Sequence, residues 1–257
     1  VNGRRLAAAG AVVAVALLLS GCVPEYFAKI NAGQQRVDTE VEEAGLEASV
    51  DADYSCTGAL PFTATTCRAA VTVTTDDLDV IERAAELEAL RAETDGRSWT
   101  VVYRGTTYWA EPDNLAQLPV VDGTLPTGVT IDRVEIGDAR VGIALTDVTS
   151  FEQLCALGEE QTSAGIITSR VEGRTDLEVR LDAVDDAAFA DACDLGDAAI
   201  DSLGLSTLTR VGIGPDDAGG LTLTIIPKTQ DALDAAREWV AAVAIPEGVD
   251  VDASVYY

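Results

Sequence analysis

A nine-residue pattern occurs twice in this chain. Phe151-Glu-Gln-Leu-Cys155-Ala-Leu157-Gly158-Glu159 and Phe189-Ala-Asp-Ala-Cys193-Asp-Leu195-Gly196-Asp197 share Phe-x-x-x-Cys-x-Leu-Gly followed by an acid, 38 residues apart. Phenylalanine and cysteine four positions apart fall on one face of a helix, so the pattern predicts two equivalent helices. Their flanks repeat as well. Val141-Gly-Ile143-Ala-Leu145 precedes the first copy and Leu177-Glu-Val179-Arg-Leu181 the second, and both alternate as half-buried strands do. Thr149-Ser150 and Asp185-Asp186 supply the side-chain oxygens that cap a helix start. Residues 165–171 and 206–213 follow as further strands.

Two looser copies flank this pair. Ala70-Val71-Thr-Val73-Thr leads through Asp76-Asp77 into a helical run to Ala92 and then into residues 99–104. Leu221-Thr-Leu223-Thr-Ile225 leads through Pro227 into a helix over residues 230–243 and then residues 249–256. The sequence therefore predicts an α+β fold of about four strand–helix–strand units, each of roughly 40 residues. Two fused units read β-α-β-β-α-β, the ferredoxin-like order, with an antiparallel or mixed sheet and helices on one face. That fold is expected for at least the C-terminal half. In it the two helices pack antiparallel about a pseudo-two-fold axis, which brings equivalent positions such as Cys155 and Cys193 together.

The N-terminus carries a different kind of signal. Arg4 and Arg5 precede an uncharged run from Leu6 to Leu19 that is shorter than the roughly 20 residues of a membrane-spanning helix. Basic residues followed by such a run match a secretory signal peptide. The run ends in Leu19-Ser20-Gly21-Cys22, which resembles the lipobox of bacterial lipoproteins. The cysteine separates this reading from that of an ordinary secretory signal. The resemblance implies cleavage after Gly21, a diacylglyceryl group on Cys22, and a protein held on the cell membrane facing the extracytoplasmic side. Two acyl chains suffice for stable anchoring.

With Cys22 assigned to lipid by that resemblance, Cys56, Cys67, Cys155 and Cys193 remain, an even set in a compartment that permits disulfides. Of the three connectivities, Cys56–Cys67 and Cys155–Cys193 are expected, the second because of the duplication. The alternative is a pair of free buried cysteines in core helices. The expected organisation is a signal peptide over 1–21, a tether over 22–45 and an N-terminal α+β module over 46–110. A connector holding Pro112, Pro119 and Pro126 follows over 111–128, and the duplicated region over 129–257. Whether the first and fourth units form a separate domain is left open by the pattern.

Composition limits the chemistry. There is no histidine, which removes histidine-based nucleophile systems and imidazole zinc sites. The 44 acidic against 17 basic residues give a net charge of −27, which repels phosphate backbones and excludes a basic nucleic-acid footprint. Acid clusters at Asp51 with Asp53, at Asp182, Asp185 and Asp186, and at Asp216-Asp217 lack the spaced loop of an EF-hand, so no metal and no cofactor are expected. No pair among so many acids stands out as catalytic. Trp99, Tyr103, Tyr108 and Trp109 concentrate four aromatic rings within 11 residues. Exposed, they would form a stacking surface for a glycan or an envelope protein; buried, they would fill an alanine-rich core. The expected function is a non-catalytic binding or structural module anchored in the envelope. The alternatives are a carboxylate-dependent enzyme acting on wall glycan and a solute-binding lipoprotein.

Overall fold

Hairpins alternate with helical crossovers throughout the computed structural model, which describes residues 28–57, 66–94, 99–138, 140–161, 165–171, 175–181, 188–216 and 220–254. Cys22, the signal segment, and Asp182, Asp185, Asp186 and Asp217 lie outside the described residues. The chain divides into two units. One comprises Val1–Gly105 with Ala110–Leu115, the other Thr106–Trp109 with Ala116–Tyr257.

The first unit begins with helix α1 over residues 28–43. Strands β1 (Val50–Thr57) and β2 (Thr66–Thr75) form an antiparallel hairpin. Helices α2 (Leu78–Glu86) and α3 (Glu88–Thr94) then cross over to β3 (Trp99–Tyr103), which pairs parallel with β2. The Asp77 side chain accepts from Asp79 N at 3.0 Å and so starts α2. The expectation of a tether up to residue 45 is corrected here. Val37 and Val41, four apart on one face of the helix, are buried, as is Leu46 just beyond its end.

Helix α1 also closes the open edge of β1. Gln34 Nε2 donates to Ala52 O at 2.7 Å, and Gln34 Oε1 accepts from Tyr54 N at 2.8 Å. These are the groups a neighbouring strand would otherwise pair with, so one side-chain amide substitutes for a strand. The Tyr54 ring lies against Gly33, where an added Cβ would stand 2.4 Å from it. Burial pushes the Tyr54 hydroxyl's pKa up, reinforced by its hydrogen bond with Glu93.

In the second unit β4 (Thr106–Ala110, all but its last residue) is followed by β5 (Ile131–Ile136), β6 (Val141–Leu145), β7 (Ile166–Val171) and β8 (Thr175–Arg180). Strands β9 (Leu208–Pro215), β10 (Leu221–Pro227) and β11 (Val249–Ala253) complete it, in sequential order across the sheet. Pairs β5–β6, β7–β8 and β9–β10 are antiparallel hairpins. Pairs β6–β7, β8–β9 and β10–β11 are parallel and joined by α5 (Phe151–Glu160), α6 (Phe189–Leu203) and α7 (Gln230–Ala242). The fold is a mixed α+β one.

The ferredoxin-like strand order is not the one observed. A split βαβ places another strand between the two that a helix joins, whereas each crossover here lands on the adjacent strand. The order of elements along the chain is identical in the two arrangements. The choice of hydrogen-bonding partner separates them, and that is a tertiary decision. The helices of these crossovers share one side of the sheet: α5 packs on β7 and β8, α6 on β9 and β10, and α7 on β10 and β11, with α6 packed against both α5 and α7.

The repeated motif has a physical meaning in this arrangement. The hairpin β7–β8 reverses the chain, so α5 and α6 run antiparallel, and Cys155 is bonded to Cys193. Phe151 lies on Gly196, where a methyl group would stand 2.6 Å from its ring. Phe189 in turn reaches to 3.8 Å of the corresponding position at Gly158. Phe151 thus uses the missing side chain of α6, whereas Phe189 makes an ordinary contact beside Gly158, where Leu181 and Val179 stand closer. The Asp197 carboxylate accepts from the backbone N–H groups of Phe151 and Glu152 at the start of α5, where Ser150 Oγ also accepts from Gln153 N at 3.2 Å.

Residues 111–128 are more than a connector. They form a 3-10 helix, Pro112–Gln117, running into α4 (Leu118–Asp122), and Leu115, Leu118 and Val121 are buried. Pro119 sits in the first turn of α4, where its missing N–H costs nothing. Of the three prolines read as linker punctuation, Pro112 opens the 3-10 helix and Pro119 opens α4.

Candidate functional site

The four aromatic residues do not share a surface. Trp99, Tyr103 and Tyr108 are at most 2 % exposed, whereas Trp109 is 41 % exposed. Strand alternation explains the split. On β3 the residues Trp99, Val101 and Tyr103 all point inward, and on β4 Tyr108 and Ala110 do so, leaving Trp109 outward. Tyr108 Oη donates to Asp122 Oδ1 at 2.6 Å, giving the buried hydroxyl a partner at the end of α4. Of the two readings of this cluster, burial holds for Trp99, Tyr103 and Tyr108 and exposure for Trp109 alone. In an alanine-rich chain the large rings supply core volume that short side chains cannot. Trp239 is half-buried on α7.

Cys56 is bonded to Cys67, its direct cross-strand partner in the β1–β2 hairpin. Both disulfides thus join the pairs drawn from the sequence, and both are structural staples. The described Asp216 closes the β9–β10 hairpin, its N–H donating to Gly220 O and its Oδ1 accepting from Gly220 N. Among the described residues no group of three histidine, cysteine or acidic side chains is placed to hold a metal ion.

Trp109 leads to a surface that sequence reasoning missed. Because α5, α6 and α7 lie on one side, the other side of the sheet they cover carries none of these helices among the described residues. A row of residues crosses that side from strand to strand: Arg133, Ala144, Thr168, Glu178, Gly212 and Thr224, each the register partner of the next. A second row runs Arg170, Asp176, Arg210 and Ile226. Small residues form the floor, and long charged side chains rise from it and bend over one another. A groove of about 510 Å³ lies over Ala144 and Thr168, and one of about 400 Å³ over Gly212 and Gly214, with Glu178 and Arg210 lining both.

Three ion pairs run across this face. Arg133 Nε donates to Glu135 Oε1 at 2.8 Å while its guanidinium lies 4.4 Å from the centre of the Trp109 ring. Arg170 Nε donates to Asp176 Oδ1 at 2.6 Å, a contact that raises the Arg170 pKa further. Arg210 is paired with Glu178, whose side chain is only 18 % exposed. Across the grooves four arginines (133, 170, 180 and 210) face four acids (132, 135, 176 and 178), a charge balance in a chain that is otherwise heavily acidic. The alternation of β8, Asp-Leu-Glu-Val-Arg, already places its charges on the side opposite the core. That was the available signal; which strands stand beside β8 was not in it.

The first unit holds a larger groove of about 780 Å³ between α1 and α3. Its acids serve the fold: Glu40 accepts from Glu88 N and Ala89 N at the start of α3, and Glu93 pairs with Arg36. The helix-free face of the second unit is therefore the candidate site. No family model, no curated protein and no solved structure matches this chain.

Proposed function

We propose that this chain is a lipid-anchored envelope protein, held extracytoplasmically by Cys22, whose helix-free sheet face is a non-catalytic binding surface. The observation that carries the binding reading is the charge-balanced face itself, with small residues along its floor and the exposed Trp109 beside Arg133. Its carboxylates at positions 135, 176 and 178 are already engaged by arginines, which fits recognition better than proton transfer. Two disulfides suit an oxidising compartment, and the lipobox-like Leu19-Ser20-Gly21-Cys22 supplies the anchor. Among the described residues no helix is long and apolar enough to cross a membrane, so the reading assigns membrane attachment to the lipid. The four strand–helix–strand units we read as copies of one module, the second and third retaining the clearest likeness.

Fractionation of bacteria expressing the full chain tests the anchor. The wild-type protein is expected in the membrane pellet and Cys22→Ala in the soluble extracytoplasmic fraction. Persistence of Cys22→Ala in the pellet would refute lipid attachment at this residue.

A further inference from the structure

The helix-free face has a recognisable ligand chemistry. Every hydroxyl of a sugar both donates and accepts hydrogen bonds, so a site for a sugar chain needs donors and acceptors side by side. Guanidinium and carboxylate groups alternate on this face, at Arg133 beside Glu135, Arg170 beside Asp176 and Arg210 beside Glu178. Their planar, multidentate groups are held in place by one another, so little side-chain freedom is lost when a ligand binds. The four-to-four balance of charge demands no charge on the ligand. A polyanion would require a surplus of arginine, and the net charge of −27 on the whole chain opposes one. The exposed Trp109 at the β4 end offers an apolar ring for the C–H face of a pyranose.

The dimensions agree with an extended ligand. From Arg133 on β5 to Thr224 on β10 the row crosses five strand spacings of about 4.8 Å, or roughly 24 Å. Between Arg133 and Thr224 the floor is alanine, threonine and glycine except at Glu178, so a chain lying across the strands meets one large side chain from below, a carboxylate held by Arg210.

We infer that this face binds a neutral oligosaccharide chain laid across the strands, with Trp109 stacking on one of its sugars. The inference rests on the reading of the helix-free face as a binding surface, and names its ligand class. The test uses the full chain, purified in detergent and titrated with a neutral pentasaccharide of N-acetylglucosamine, followed by calorimetry and tryptophan fluorescence. Saturable binding is expected, weakened at least tenfold by Trp109→Ala and by Ala144→Arg, which blocks the floor. Both variants are expected to keep the wild-type urea midpoint.

Each other outcome overturns the inference, and they differ in what else they overturn. Binding of polygalacturonate in place of the neutral chain, lost in both variants, would replace the ligand class and keep the face as a binding surface. Binding of the pentasaccharide unchanged in both variants would remove the face from the argument altogether. A concentration-dependent dimer, abolished by Ala144→Arg and with no saccharide bound, would assign the face to a second copy of the chain.

Discussion

The two units carry the same hairpin-and-crossover plan but are locked by different devices. In the second unit the lock is a helix pair: Phe151 on one antiparallel helix fills the place of the side chain missing at Gly196 on the other, and a disulfide joins them. In the first unit the lock is a clamp. Helix α1 lies along the sheet edge, Gln34 occupies the backbone groups of β1, Tyr54 rests on Gly33, and the disulfide joins two strands already paired by hydrogen bonds. That lock joins elements far apart in sequence. The clamp mostly reinforces contacts that neighbouring segments already make.

That contrast sets the expected size of each perturbation. Removing Cys155–Cys193 opens a separation of 38 residues, and the loop-entropy model puts its loss at about 4 kcal/mol. Removing Cys56–Cys67, with a separation of 11, costs about 3 kcal/mol in the same model. Urea denaturation of the Cys→Ala pairs checks the ranking; a larger loss at Cys56–Cys67 would mean the hairpin is the weaker structure without its bridge.

The next effect separates the two glycines of the motif. Gly196→Ala forces a methyl group against the Phe151 ring and should cost about 1–2 kcal/mol, an overpacking penalty partly offset by alanine's better helix propensity. Gly158→Ala meets only the ends of the Leu181 and Val179 side chains, at 3.0 and 3.1 Å, and should be close to neutral. Equal losses in thermal melts would break the account of Gly196 as the tighter contact.

For the clamp, Gln34→Ala removes two hydrogen bonds at the β1 edge and should cost about 1 kcal/mol. Faster amide exchange at Tyr54, the N–H that loses its acceptor, is the accompanying observation. If that amide stays as protected as before, the edge is closed by something other than Gln34.

The smallest expected effect is one of pH. Burial raises the Asp197 pKa above the ordinary value of 3.8, with Glu152 and Asp201 adding to the rise and the Phe151 and Glu152 N–H groups opposing it. Folding therefore favours the protonated carboxyl. Its contribution is fullest below the unfolded-state pKa and falls as pH rises through the raised one. Asp197→Asn should accordingly lose less stability than the wild type between about pH 4 and pH 7. Urea midpoints at the two pH values measure this, and a steeper loss in the variant would reverse the sign.

Strand and helix positions were legible because the alternation of Val141-Gly-Ile143-Ala-Leu145 and the spacing of Phe151 and Cys155 are local properties. The Cys155–Cys193 bond was legible for a second reason: duplication makes two positions equivalent, and equivalent positions on antiparallel neighbours meet. Helix α1 is hard to tell from a tether with a short helix in it, because its apolar positions, Val37 and Val41, are sparse among polar residues. Only the presence of a strand edge to cover makes that helix worth forming.

The candidate site divides the same way. Trp109 was named from the sequence, and its outward direction follows from the alternation that buries Tyr108. Arg133, Asp176, Glu178 and Arg210 were not named, since they come from separate strands and nothing local to any of them announces the others. What the sequence determined by itself was the set of elements, the repeat and the staples, all of them functions of spacing along one chain. The tertiary structure alone decided that each crossover lands beside the strand it left. Packing of α6 against both α5 and α7 gathered these three helices on one side of the sheet and left the other side open, and the strand pairing beneath them is fixed by partners that lie far apart in sequence.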